Sequence, residues 1–327
     1  MKANRCKPRR LVKVKSKAQY EALHRLDSFL NSESPRLVRF LVRTWNDQQT
    51  AITYKELREA ILHGDLTAEA LEEWQQDYAV FFNRYLQPIL SDASNAGAKE
   101  LAAAALSGSD VYAPILSGAD DWIEAHGGEW ITQMTTEAHE AVSTLIQYAA
   151  GGNTTVDDLA RVIRPTIGLN GPQSIANLRF FEETRRRLIR ELLDKHPEMQ
   201  VATAERQATK RAKESAVRLA ARQHRQRAEM IAQSELAFAY NKGADNAVRN
   251  AMDAGLMPRM KKQWSTAADE AVCATCGALD GVEVEMDDEF NFGGKELYAG
   301  QKLTPPAHPR CRCALCYVEA DDAADEE

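Results

Sequence analysis

The chain has 327 residues, 44% of them apolar and 27% charged, with a net charge of −7. That length can bury two modest cores, and the composition is that of an ordinary globular protein. No apolar run reaches the roughly 20 residues of a membrane-spanning helix, and the opening MKANRCKPRRLVKVKSK has no hydrophobic stretch behind its charges, unlike a secretory signal. The expected surroundings are therefore cytosol-like and reducing, which disfavours disulfides.

Charge is unevenly spread. The first seventeen residues carry Lys2, Arg5, Lys7, Arg9, Arg10, Lys13, Lys15 and Lys17 and no acid. A second basic block runs from Lys210 to Ala228, beginning with Lys210 and Arg211, whereas EVEMDDE and the terminal EADDAADEE are acidic. These ten basic residues are the candidate nucleic-acid contacts, acting through phosphate charge with a strong salt dependence. Apart from Tyr20, no aromatic residue interleaves with them, so base stacking is not expected. Docking on an acidic protein surface, or a plain solvated face, would use the same charges.

In chain order, SPRLVRFLVRTWNDQ predicts a helix starting near Pro35, with Leu37, Val38, Leu41 and Val42 on one face. TYKELREAILHGDL predicts a helix ending at Gly64. A long helix follows in LTAEALEEWQQDYAVFFNRYLQPIL, with Trp74, Tyr78, Phe81 and Phe82 near one side. The alanine-rich stretch from Asn95 to Ser107 suits a further helix, and TTEAHEAVSTLIQYAAGG closes this region at Gly151–Gly152. Trp45, Trp74, Trp122 and Trp130 fit core or interface positions. Thr155 and Asp158 form a helix-start pair, while Pro165 and Gly171–Pro172 punctuate what comes next. Ala204–Ala254 has few breakers and reads as one very long helix or two, tolerating Gly243. Beyond Gly255 the helical period is lost, and KKQW and VEVEM suggest short strands.

The expected fold is thus mainly α with a small α+β C-terminal lobe, long helices leading into a short-stranded segment. The expected organisation is a basic N-terminal arm (1–20), a helical N-terminal domain (21–150), a C-terminal domain (151–318) and an acidic tail (319–327).

Five of the six cysteines crowd the C-terminal segment in the pattern C-x2-C, 31 residues, H-x2-C-x-C-x2-C. Cys273 and Cys276 can present two thiolates to one ion, and a structural zinc site needs four such ligands in a tetrahedron. His308 and Cys311 supply the preferred second pair. Cys313 is the substitute, because one extended segment can aim the sulfurs of Cys311 and Cys313 to the same side, and Cys316 is the weaker candidate. Metal binding would hold together a segment short of large apolar side chains. Inert buried cysteines and a catalytic or redox site remain as alternatives. Cys6 reads as a free thiol, and no catalytic residue can be assigned.

RAEMIAQSELAFAYNKG, WSTAADEAVCATCGALDG and PPAHPRCRC resemble the C-terminal signature of the Mu F-like family of phage minor head proteins. The matching positions are Arg227, Ile231, Ala232, Glu235 and Asn241, then Trp264, Asp269, Cys273, Cys276, Asp280 and Gly281, and finally Pro306, His308, Pro309, Cys311, Arg312 and Cys313. The resemblance extends over about Val156–Tyr317. One departure is visible: where the family reads Arg-Thr-Glu, this chain has Gln233-Ser234-Glu235.

The resemblance implies a non-enzymatic minor head protein acting in head morphogenesis. It would sit inside the procapsid at the portal vertex and in the virion, passing through host cytoplasm during assembly. Its implied partners are portal protein, capsid or scaffold proteins and non-specifically bound double-stranded DNA, with no membrane. Two rivals use the same cysteine and histidine cluster: a metal-dependent nuclease, which would need a second histidine-held metal, and a phage-delivered effector.

Overall fold

The computed structural model describes residues 15–105, 120–149, 155–267, 269, 271–293 and 303–320. The long N-terminal helix α1 (Lys17–Ala51) starts from a reciprocal cap, in which the Ser16 amide donates to Gln19 Oε1 at 2.9 Å and the Gln19 amide to Ser16 Oγ at 3.2 Å. The helix expected to begin near Pro35 instead runs straight through it. The missing proline N–H removes one helical hydrogen bond at a cost of about 3 kcal/mol. Burial of Leu26, Leu30, Leu37, Leu41 and Trp45 on the same helix offsets that loss.

Helix α2 (Tyr54–His63) has a complete Thr53/Glu56 capping box and stops, as expected, at Gly64 with φ +87°. Helix α3 (Ala68–Phe81) passes through one π turn (Phe82–Leu86) into α4 (Gln87–Ala105). An extra residue in a turn shifts the helical phase. Trp74, Tyr78, Phe81 and Phe82 are all buried, and Trp130 of α5 (Asp120–Ala149) stacks on Phe81 at 5.6 Å and meets Tyr78 edge-on at 6.1 Å. Trp122 is only half-buried and stacks on His126.

Thr155 caps α6 (Val156–Ile163) by accepting from the Asp158 amide, and Asn170 caps α7 (Gly171–Lys195) by accepting from Gln173. The expected long helix is a single element, α8 (Val201–Asp253), of 53 residues. Ala204, Ala208, Ala212, Ala216 and Ala220 recur every fourth position and are all buried, giving a smooth seam for close packing. Asn177 donates across to the Ala216 carbonyl and to Gln223, and Arg185 donates to Thr209, which fixes α7 against α8.

The C-terminal lobe is a three-stranded antiparallel sheet, ordered β2-β1-β3 from β1 (Met260–Ser265), β2 (Glu283–Glu285) and β3 (Ala314–Glu319), with one short helix, α9 (Ala274–Leu279). KKQW and EVE are strands as expected, while β3 carried no strong sequence signal. The mainly α fold with a small α+β lobe is thus present.

The chain divides into two units, each assembled from separated segments. One takes its described residues from Met1–Glu33, Leu90–Ala119 and Gln233–Glu327, the other from Ser34–Ile89 and Asp120–Ala232. In the first, α4 and α8 touch at two glycines. A Cβ on Gly243 would lie 2.0 Å from the Ser94 carbonyl oxygen, and one on Gly97 would lie 2.0 Å from that of Tyr240. Among the described residues, no helix is long and apolar enough to cross a membrane.

Candidate metal centre

Cys273 lies at the N-cap of α9, where its sulfur accepts from the Cys276 amide at 3.3 Å. One helical turn therefore aims both thiols the same way. The second half of the site comes from the loop before β3, where the Cys311 amide donates to the His308 carbonyl at 3.0 Å. Arg310 adopts φ +60°, and its amide donates to Ser234 Oγ at 3.2 Å. Asn241 on α8 clamps the exit of this loop: its Oδ1 accepts from the Leu315 amide at 3.1 Å and its Nδ2 donates to the Cys313 carbonyl at 3.4 Å.

These supports bring the thiols and the imidazole together. His308 Nε2 lies 3.2 Å from Cys273 Sγ and 3.4 Å from Cys276 Sγ, and Cys276 Sγ lies 3.8 Å from Cys311 Sγ. His308 Nδ1 pairs with the Pro309 carbonyl at 2.9 Å. That contact sets the tautomer, placing the proton on Nδ1 and the Nε2 lone pair toward the sulfurs. Two overlapping donor sets result, Cys273–Cys276–His308 and Cys276–Cys311–Cys313, each with its ligand atoms within 4.8 Å of one another. In a tetrahedral zinc site, two sulfurs stand about 3.8 Å apart and a sulfur and a nitrogen about 3.6 Å. The His308–Cys273, His308–Cys276 and Cys276–Cys311 separations are of that size, within sets of three donors.

Electrostatics within the cluster are coupled. Burial alone would raise the Cys273 thiol, but the Cys276 amide and His308 hold it below its usual value. Cys311 is held down by hydrogen bonds from Cys276 and Cys313, and Cys276 is pushed up by its contact with Cys311. Burial works against protonation of His308, yet the Pro309 carbonyl and the neighbouring sulfurs of Cys311 and Cys273 raise it. Binding a metal needs these thiols deprotonated, so it would release protons.

Cys316 stands outside both sets. It pairs across the sheet with Gln263, and strand alternation turns it to the face opposite Leu315 and Trp264. The cluster floor is apolar: Trp264 packs edge-on against Phe290 at 5.0 Å and Phe292 at 5.7 Å, with Leu279 and Leu315 beside them. Its outer side opens on a cavity of about 70 Å³ flanked by Val272, Arg310 and Arg312.

The signature residues surround the donors. Arg312 pairs with Asp269. Asp280 accepts from the Thr266 amide at 2.9 Å and from Lys15 Nζ at 2.6 Å. Gly281, at φ +78°, donates its amide to the Trp264 carbonyl at 2.8 Å. Arg227 belongs to the other unit, where it is buried, pairs with Glu137 at 2.6 Å and lies 5.8 Å from the Trp45 ring centre. Glu235 is half-buried on α8. At the departure from the family pattern, the Ser234 hydroxyl makes the loop contact, which a threonine would also supply.

The candidate phosphate contacts fare differently. Lys2, Arg5, Lys7, Arg9, Arg10 and Lys13 lie outside the described residues. Lys15 needs correction: it is buried and engaged with Asp280 and Ser265, so its charge does not face solvent. Lys17 is exposed and lies 3.6 Å from Glu21, and Lys210 and Arg211 are exposed. His224 is buried, with Nε2 2.9 Å from the Ile167 carbonyl.

Residues 189–316 match the family model described as Phage Mu protein F like protein. That stretch is similar to the Mu F-like phage proteins. The matched stretch begins within α7, includes all five clustered donors and ends within β3. The Mu F-like match points to head morphogenesis, a capsid-related setting and the virion. Neither the curated proteins nor the solved structures contain a match to the chain.

Proposed function

We propose that this chain is a minor head protein that acts in head morphogenesis inside the procapsid, associates with the portal protein at its vertex and contacts packaged double-stranded DNA. Its Mu F-like segment is a structural lobe closed by zinc, with Cys273, Cys276, His308 and Cys311 as ligands and Cys313 in reserve. The observation that carries this reading is the coincidence of the family match with the convergence of His308 Nε2 on two sulfurs. Four protein ligands leave no open position on the ion, which suits a fastener better than a reaction centre. When bound, zinc supplies folding energy by joining α9 to the loop before β3. The chain's own residues do the rest: Asn241 and Ser234 hold the loop, and Pro309 fixes the imidazole.

Elemental analysis of protein purified under reducing conditions should find about one zinc per chain. Cys276→Ser should destabilise the lobe by several kcal/mol in thermal unfolding. Metal-free protein whose five C-terminal thiols all react freely in the folded state would overturn the clip. The portal assignment is tested separately, by co-expression with a portal protein from the same phage and co-purification of the ring. Failure of the two to associate at physiological salt would overturn that part.

A further inference from the structure

The basic block on α8 separates into three classes once its side chains are placed. Arg227 is buried against Glu137, and Lys213 is paired with Asp158. Arg211, Arg218, Arg222 and Arg225 are exposed, and among the described residues none of them is paired with an acid. Arg218 donates to Ser215 Oγ at 2.9 Å.

At 100° per residue, these four arginines fall within about 60° of one another, and they span about 21 Å of helix. Their side of α8 lies opposite Ala212, Ala216 and Ala220, which are buried. Packing of the alanine seam, with the Asn177 and Arg185 hydrogen bonds, fixes the rotation of α8 and so holds the row toward solvent. Glu214 is the acid within it.

We infer that Arg211, Arg218, Arg222 and Arg225 form a phosphodiester-binding row that lies along the backbone of duplex DNA. The inference rests on the reading that the chain contacts packaged DNA, and it moves that contact to a rigid helix face. Planar guanidinium groups pair with phosphate oxygens in a fork, with more geometric definition than a lysine gives. The occupant is a nucleic-acid backbone rather than a protein, because the row carries no aromatic or large aliphatic anchor of the kind that dominates protein interfaces. Without aromatic residues, binding is sequence-independent.

The test measures affinity for a mixed-sequence 30-base-pair duplex from about 50 to 300 mM salt. Removing one arginine–phosphate pairing should lower the slope of log affinity against log salt by about 1, so changing all four arginines to glutamine should lower it by about 3 to 4. The corresponding four-lysine variant should keep most of the slope, and both should melt like the parent, since the side chains are exposed. An unchanged slope in the glutamine variant, with binding abolished by deleting residues 1–13, overturns the row and leaves the DNA reading intact. Intact protein that fails to bind duplex at 50 mM salt overturns both. Row-dependent binding to poly-glutamate, with no binding to duplex, overturns the proposal in favour of an acidic protein partner.

Discussion

Lys15 shows how far a residue's role depends on its partner. In sequence it is one more cation of a basic arm, but its Nζ reaches Asp280 at 2.6 Å from across the chain. Burial would raise the Asp280 carboxyl, yet the hydrogen bonds from Lys15 and the Thr266 amide hold it below its usual value. A carboxyl depressed in the folded state adds stability above the unfolded pKa of about 4, and that stability is lost as pH falls through the folded pKa. Asp280→Asn should therefore lower the melting temperature at pH 7 and flatten its decline below about pH 4. Equal melting of both proteins at pH 7 would show that the pair contributes nothing. The cysteine and histidine positions were legible because ligand chemistry imposes short spacings. Lys15, Ser234 and Thr266 were not, because their partners lie far away in sequence and carry no local motif.

Among the elements, helices with caps were the most legible. Gly64 and Thr155 end or start helices through contacts made within four residues, so the pattern and the structure coincide. Pro35 misled because the burial that carries α1 through it depends on tertiary packing. β3 was hidden because ALCYVE is short and lacks alternation, its pairing with β1 being dictated by the loop that delivers it. Gly243 read as merely tolerated, whereas its absent side chain is what lets α8 approach α4. Gly243→Ala should cost about 3 kcal/mol or more, because a backbone carbonyl cannot move aside as a side chain would. Gly128→Ala, where an added Cβ meets nothing within 4 Å, should instead stabilise by about 0.5–1 kcal/mol. Melting curves of the pair check both signs, and a neutral Gly243→Ala would refute the close crossing.

For the whole molecule, reading along the chain yields continuous domains, and units assembled from distant segments are invisible to it. The Mu F-like match spans residues 189–316, yet the unit holding the metal cluster also draws on α1 and α4. Gln19 bonds Gln263 at 2.8 Å, Lys15 holds Asp280, and Gly97 receives Tyr240. A fragment of residues 189–316 should thus fail to give a cooperative unfolding transition even with zinc present, whereas the full chain should give one. Calorimetry decides this, and a sharp transition in the fragment would show that the lobe is autonomous.

The overlap of the two donor sets at Cys276 has one more consequence. Substituting any other ligand leaves one three-donor set complete: without Cys273 or His308 the Cys276–Cys311–Cys313 set survives, and without Cys311 or Cys313 the Cys273–Cys276–His308 set survives. The centre is therefore redundant around its rim and has a single point of failure at its hub. Substituting Cys276 should thus cost more stability than substituting any one of the other four.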